Sequence, residues 1–341
     1  MAVGIAIAPT SASAQCSQIT RGDIDATNAS VQTLVDCGDP SGAFLVFPSS
    51  DGPITMEVPP AGESSILSIT YVPGHSGISQ VSVTQFSEGE VGFTVENKGQ
   101  VTIGGDSRGR DRAEERETAR LGSSTPSAAP FHGSGGGAGS TLALSTNLAM
   151  VTKCTSAAYG TLGWWQVSQY AYNINTSGMP TGGSAAIQAA ANTVSDAIDG
   201  CGLAGTTGIP DQYSGTTTAS SNVQAGGVGC NSQDLISVQK FGVISNPSIG
   251  AVTCTGTNGF GWVTHTDNVY NNALSWYTGT STSGCTGSKL DLQAVATHEI
   301  GHSFGLDDVA DTTQVMGTGA YCQTSKRLLG SGDHAGLMAI Y

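Results

Sequence analysis

Near the end of the chain, eleven residues gather the side chains of a metal site: His298-Glu299-Ile300-Gly301-His302-Ser303-Phe304-Gly305-Leu306-Asp307-Asp308. Four residues is just over one helical turn, so on a helix His298 and His302 share a face and can hold one metal ion. Glu299 stands beside them, a carboxylate placed to handle water at that metal. Gly305 can adopt the left-handed backbone that ends a helix. The chain can then turn back and bring Asp308 in as a third ligand. Three protein ligands with one position left open is the arrangement of a catalytic zinc rather than a structural one, so the expected cofactor is one Zn2+. The bland alternative is a surface helix with two solvated histidines, and the added glycine and aspartate at fixed spacing make it the weaker reading.

Such a helix must be packed on one side and open to a cleft on the other. Leu290, Leu292, Val295, Ala296 and Ile300 supply an apolar helical stripe through the motif. Ser288 or Asp291 can cap its start. Upstream, residues 169–175 read as a strand, and 184–198 as an Ala-rich amphipathic helix closed by Gly200. Further strands are expected at 216–220, 235–241, 251–255 and 262–270. One helix, several strands, then the metal helix is an α+β order, and it assigns residues 139–341 to a catalytic domain. Residues 15–104 read instead as an all-β module, with short strands at 43–47, 66–71, 78–85 and 91–96 separated by turn signals such as Asp51-Gly52-Pro53 and Pro73-Gly74-His75. The module offers no catalytic set, and His75 reads as a plain surface histidine. Between the two, residues 105–138 form a flexible linker, mixed-charge in its first half and Ser/Pro/Gly-rich in its second, and open to nicking near Arg108 to Arg120. His132 lies in that linker and carries no role.

Composition bounds the class. The chain has 341 residues, enough for two domains with cores. Only 11% are charged and 48 are glycine, which suits a β- and loop-rich extracellular protein. The net charge of −14 disfavours nucleic acid and anionic membranes as partners. No apolar run approaches a membrane span. Residues 1–14 resemble the end of a secretory signal, with Ala12-Ser13-Ala14 as the cleavage site, and secretion is expected. Eight cysteines follow, two in the N-terminal part and six in the C-terminal part, which points to disulfides in an oxidising compartment. The six allow fifteen pairings; neighbour pairing (154 with 201, 230 with 254, 285 with 322) is the expectation.

The extended motif resembles the metzincins, zinc peptidases with a methionine-containing turn beneath the metal. Asp311-Thr312-Thr313-Gln314-Val315-Met316 follows at a suitable distance and makes Met316 the turn methionine. Asp333, Gly336, Leu337, Ile340 and Tyr341 spell the D-x-x-G-(I/L)-x-x-(I/L)-Y ending of the matrixin branch. The stretch from Asp267 to Trp276 and the lead-in from Asp291 to His298 are similar to matrixin segments too. The resemblance covers roughly 140–341 and not 16–104. It implies a twisted mixed sheet with an active-site helix and a C-terminal helix, and a secreted endopeptidase with Glu299 as general base. His298, His302 and Asp308 would be its zinc ligands. Asp308 stands where matrixins usually carry histidine, as in some bacterial metzincins, and Asp307 has the wrong spacing for the pattern. Val269 replaces a histidine of the second, structural zinc, which is therefore not carried over, and His265 reads as an ordinary strand residue. Structural Ca2+, common in the family, is only weakly supported by the sparse acids. Tyr321 is a tentative substrate-pocket residue, and His334 is expected to cap or solvate the last helix.

The resemblance implies protein or peptide substrates and a monomer. Two rivals remain: a zinc hydrolase with a non-protein substrate, and a secreted binding or adhesion protein working through the β module. That module is a candidate propeptide or targeting unit. Asp36-Cys37-Gly38-Asp39-Pro40 faintly echoes the inhibitory cysteine of matrixin propeptides. It lacks the arginine and lies a whole β module away from the catalytic domain, and Cys16 offers a partner; the expectation is a 16–37 disulfide.

Overall fold

The computed structural model describes residues 41–105 and 153–341 with short gaps, and parts of 24–29 and 112–116. The signal-like segment, Cys16, Cys37, His132 and most of the linker lie outside the described residues.

The principal strands are β1 (Phe44–Phe47), β2 (Ile54–Glu57), β3 (Ser64–Tyr71), β4 (Ile78–Gln85), β5 (Val91–Asn97) and β6 (Gln100–Gly105). After them come β7 (Tyr170–Asn175), helix α1 (Gly183–Ser195), β8 (Asp211–Thr216), β9 (Val228–Cys230), β10 (Val238–Gly242), β11 (Ile249–Thr257) and β12 (Val263–Asn271). Helices α2 (Leu292–Ser303) and α3 (Ser331–Ile340) close the chain. Nine strands form one mixed sheet in the order β8-β7-β10-β12-β11-β3-β4-β5-β6, and β9-β2-β1 form a second, three-stranded sheet. The first four strands are parallel, β11 runs antiparallel to β12, and β3 to β6 continue antiparallel.

The mixed sheet and few helices fit the α+β class expected. The N-terminal strands do not stand as a sheet of their own, however. β3 pairs along β11 from Tyr71 opposite Ile249 to Ser64 opposite Thr257. Leu67 and Ile69 share a core with Val252, Cys254 and Val269, while Ile66 packs on the other face with Leu162 and Trp164. Adjacent apolar residues in one strand mean burial on both faces, which a half-exposed module would not need. β11 is buried at all nine positions, flanked by strands on both edges.

Helices α1 and α2 cover one face. Ile187, Ala190, Ala191 and Val194 give α1 a buried stripe, packed in one core with Ala296 and Ile300 of α2. α1 ends at Ser195, earlier than Gly200. Ala197 takes the left-handed position (φ 50°), and the Ile198 and Ala197 amides return to the Thr193 and Val194 carbonyls at 2.8 and 3.1 Å. This is the glycine-type closure carried by alanine. The strand expected at 216–220 lies at Asp211–Thr216 instead, an edge strand so exposed that no apolar pattern marks it. The three neighbour disulfides form: Cys154–Cys201, Cys230–Cys254 and Cys285–Cys322.

α2 starts where Asp291 accepts the Ala294 amide (2.9 Å), so Asp291, not Ser288, is the cap. Arg327 forks onto the same carboxylate at 2.6–3.1 Å and donates to the Gly279 and Thr280 carbonyls, which fixes the helix start to two loops. The far end is equally tied. Trp164 donates to the His302 carbonyl (3.0 Å), Gln166 to Ser303 (2.9 Å) and Tyr341 to Phe304 (3.0 Å), satisfying carbonyls a helix end leaves open. Gly305 then turns the chain at φ 92°, where an added Cβ would strike the Trp164 carbonyl oxygen. Gly305→Ala should therefore cost about 1–3 kcal/mol from the backbone alone, read as a lower denaturation midpoint at unchanged slope. A midpoint equal to that of the parent chain would refute this account of the turn.

Candidate metal centre

The two imidazoles are fixed before any metal is considered. His298 Nδ1 donates to the Val315 carbonyl (2.9 Å), and His302 Nδ1 to the Leu306 carbonyl (3.0 Å). A ring nitrogen facing a carbonyl must carry the proton, so each Nε2 is left as the free donor atom. The two Nε2 atoms lie 3.1 Å apart. Asp308 Oδ1 completes the triangle at 3.3 Å from His298 Nε2 and 3.6 Å from His302 Nε2. Ligand atoms on a tetrahedral zinc at about 2.0–2.1 Å stand about 3.3–3.4 Å from one another. The triangle matches one face of that tetrahedron. Among the described residues, His298, His302 and Asp308 form the one group of such side chains close enough to share an ion.

The electrostatics agree. Burial pushes the His298 imidazole down, yet its hydrogen bond and charge contact with Asp308, helped by Glu299 and the Val315 carbonyl, carry it up to about 9. Burial holds His302 low, with the His298 charge opposing a second proton and Asp308 only partly offsetting both. Burial raises Asp308, but its bond to His298 and the charges of both imidazoles bring it below the ordinary carboxylate range. Two imidazoles presenting Nε2 and a carboxylate are donor types that suit a zinc ion.

Glu299 is fully buried on the sheet side of α2. Its Oε2 accepts from Thr253 Oγ1 of β11, and its Oε1 is buried with no hydrogen-bond partner among the described residues. Its charge acts on both imidazoles. Beneath the site, Met316 is buried, and a Cβ on Gly301 would come within 2.5 Å of its Sδ. Gly301 therefore leaves the room the methionine fills. Asp333 of α3 holds this turn, accepting the Val315, Met316 and Gly330 amides at 2.7, 3.1 and 2.8 Å. Lys326, buried, donates to the Gly317 and Thr318 carbonyls just beyond it. Burial brings its ammonium down to about 8, against the charge of Asp333.

Asp307 turns away from the triangle and accepts the Asp308 amide (2.8 Å). Tyr321 is 41% exposed, and its neighbours Ala320 and Gln323 line the cavity beside His298. Its neighbour Cys322 is bonded to Cys285. His334 neither caps nor faces solvent: it is buried, its Nε2 unpaired among the described residues, because α3 packs that face inward against the loop at Gly205. His265 is a buried residue of β12, pushed down to about 4 by burial. His75 is exposed as expected, but it lines the same cavity as His298. Thr253 and Lys326 were missed. Thr253 reaches Glu299 across 46 residues, and Lys326 bonds carbonyls eight and nine residues back; neither position carries a motif. Asp333 lay inside the closing matrixin-like pattern without a role attached.

Two helix-borne histidines and Asp308 beyond the Gly305 turn thus gather above a buried methionine, beside a mixed sheet. The matrixin family model matches residues 251–341, which carry β11, β12, α2, the methionine turn and α3. That stretch is matrixin-like, and the metzincin resemblance holds there. No curated protein matches the chain.

If Asp333 positions His298 through the Val315 segment, Asp333→Asn should weaken zinc binding about 10–100-fold, measured by competition with a chelating dye. Unchanged affinity would remove Asp333 from the metal's support.

Proposed function

We propose that the chain is a secreted zinc endopeptidase, with His298, His302 and Asp308 as ligands and Glu299 as general base. The observation that carries this reading is the ligand triangle, with its three edges of 3.1, 3.3 and 3.6 Å. The matrixin match over 251–341 supports peptide hydrolysis in particular, and three disulfides with the signal-like start favour an oxidising, extracellular setting. Zinc held here supplies Lewis acidity, acidifying water and polarising the scissile carbonyl.

The chain's own groups do the rest. The carbonyls of Val315 and Leu306 keep both imidazoles in the tautomer that presents Nε2. Asp308 contributes a carboxylate, so the three ligands together carry one negative charge. Glu299 takes the proton from the attacking water on Oε1 and passes it to the leaving amine. Thr253 holds the other oxygen, which leaves the carboxylate one way to turn. Met316 supports the ligands from below without binding the metal.

Glu299→Ala should keep stoichiometric zinc and lose about 10²–10⁴-fold in peptide hydrolysis, whereas His302→Ala should lose zinc and activity together. Metal content by mass spectrometry and cleavage of casein decide the matter: normal casein cleavage by Glu299→Ala would sink the mechanism. In a zinc-loaded crystal, the Asp308 oxygen should lie about 2.0–2.2 Å from the ion. Asp308 turned to solvent, with Asp307 or water in its place, would refute the ligand set.

A further inference from the structure

The sheet half that carries α1 and α2 ends at β11, the strand whose Thr253 holds Glu299. An open strand at that place would offer backbone amides and carbonyls to an extended polypeptide, the usual way a sheet edge takes a peptide. In this chain the edge is taken. β3 lies antiparallel along it in eight paired positions, with Ser68 opposite Thr253 itself. Beyond β3 the chain continues past Pro73 and His75, and this segment walls a cavity of about 400 Å3 that it shares with His298 and Asp308. A space of that size takes a few side chains or a small ligand.

We propose that the strand unit 44–105 is an inhibitor held in cis, which adds β3 to the strand a substrate peptide would use, and that cutting the connection between 105 and 153 lets it leave. The unit binds by main-chain pairing and by the apolar face that Leu67 and Ile69 place on Val252 and Val269. This is strand addition, not a cysteine on the metal. While the chain is intact, the tether keeps the unit at an effective concentration far above nanomolar, so it rebinds faster than a substrate can enter. Once the chain is cut, the same contacts are an ordinary bimolecular equilibrium. Arg112 and Arg116 stack on Phe86 of the unit at 5.2 and 5.3 Å. They remain with it, and the useful cut falls C-terminal to Arg116.

The proposal rests on the peptidase reading, and its test separates the two. A specific protease site is inserted in the full-length, zinc-loaded chain between 121 and 139 and then cut. Hydrolysis of an unstructured peptide per mole of chain is followed on dilution from micromolar to nanomolar, with deuterium uptake of residues 249–257. The uncut chain should stay slow and protected at every dilution. The cut chain should speed up about tenfold or more, with uptake at 249–257 rising in parallel. Equal rates and protection in cut and uncut chains at all dilutions would overturn the proposal. So would loss of zinc and of protection throughout the cut chain, which would make the unit a structural wall. If 249–257 opens on dilution while neither form cleaves peptide, strand release stands and the peptidase reading fails.

Discussion

Two hydrogen bonds set the terms for the rest of the molecule: Nδ1 of His298 to the Val315 carbonyl, and Nδ1 of His302 to the Leu306 carbonyl. Without them either ring could present the wrong nitrogen or rotate away, and a helical i, i+4 pair would be two histidines rather than a bidentate ligand. Both acceptors lie C-terminal to α2, one just past the Gly305 turn and one in the methionine turn. The chain must therefore leave the helix, double back and return beneath it within a few residues. Gly305, Met316 and Asp333 are consequences of that path. The glycine makes the reversal, the methionine fills the space left by Gly301, and Asp333 gathers three amides of the returning chain so that the Val315 carbonyl points at His298.

The helix is held at both ends as well as by the core beneath its middle. At the start, Asp291 serves as cap and as partner of Arg327, so a single carboxylate fixes the first turn and, through Arg327, the loop at Gly279-Thr280. Truncating Arg327 would strand that buried charge, which is why such pairs are costly to break even where they add little net stability. At the end, three side-chain donors from segments 137, 138 and 37 residues away occupy the last carbonyls. A helix anchored this way can carry two buried histidines and a buried glutamate on its sheet-facing and cleft-facing sides.

The candidate metal site was legible because its side chains are local. Spacing alone brought His298, His302 and Asp308 together, and the turn glycine and methionine lay close behind them in sequence. The helix cap and most strands were readable for the same reason, from a carboxylate before an apolar stripe and from β-branched runs. What could not be read was pairing at a distance. Thr253 holds Glu299 across 46 residues, and β3 meets β11 across nearly two hundred. Neither leaves a periodic trace in either segment. The misplaced strand at Asp211–Thr216 failed in the opposite way: exposed and polar, it is a strand because of its neighbour, not its composition. The expectation of a separate N-terminal sheet went wrong at Ile66-Leu67, where adjacent buried residues already required two covered faces.

That continuous sheet carries a conflict of its own. An uncovered β11 would be an exposed sheet edge, with unpaired backbone groups and Val252 and Cys254 on its underside, and such edges invite aggregation. A site that accepts extended peptides needs that edge free. β3 covers it in eight paired positions, and its side chains fill both faces, with Ile66 above against Trp164 and Leu67 and Ile69 below. The Cys230–Cys254 bridge belongs to the side that stays: it ties β9 to β11, so part of the lower face remains anchored whichever way the N-terminal strands go. β9 in turn pairs with β2 of the N-terminal unit, with Cys230 opposite Met56. The unit thus has two strand contacts to break, one over the metal cleft and one beneath the sheet. Docked at both, it covers the edge of β11 and the apolar face beneath it. Release would uncover both at once, so the freed edge has to be one that substrate soon fills.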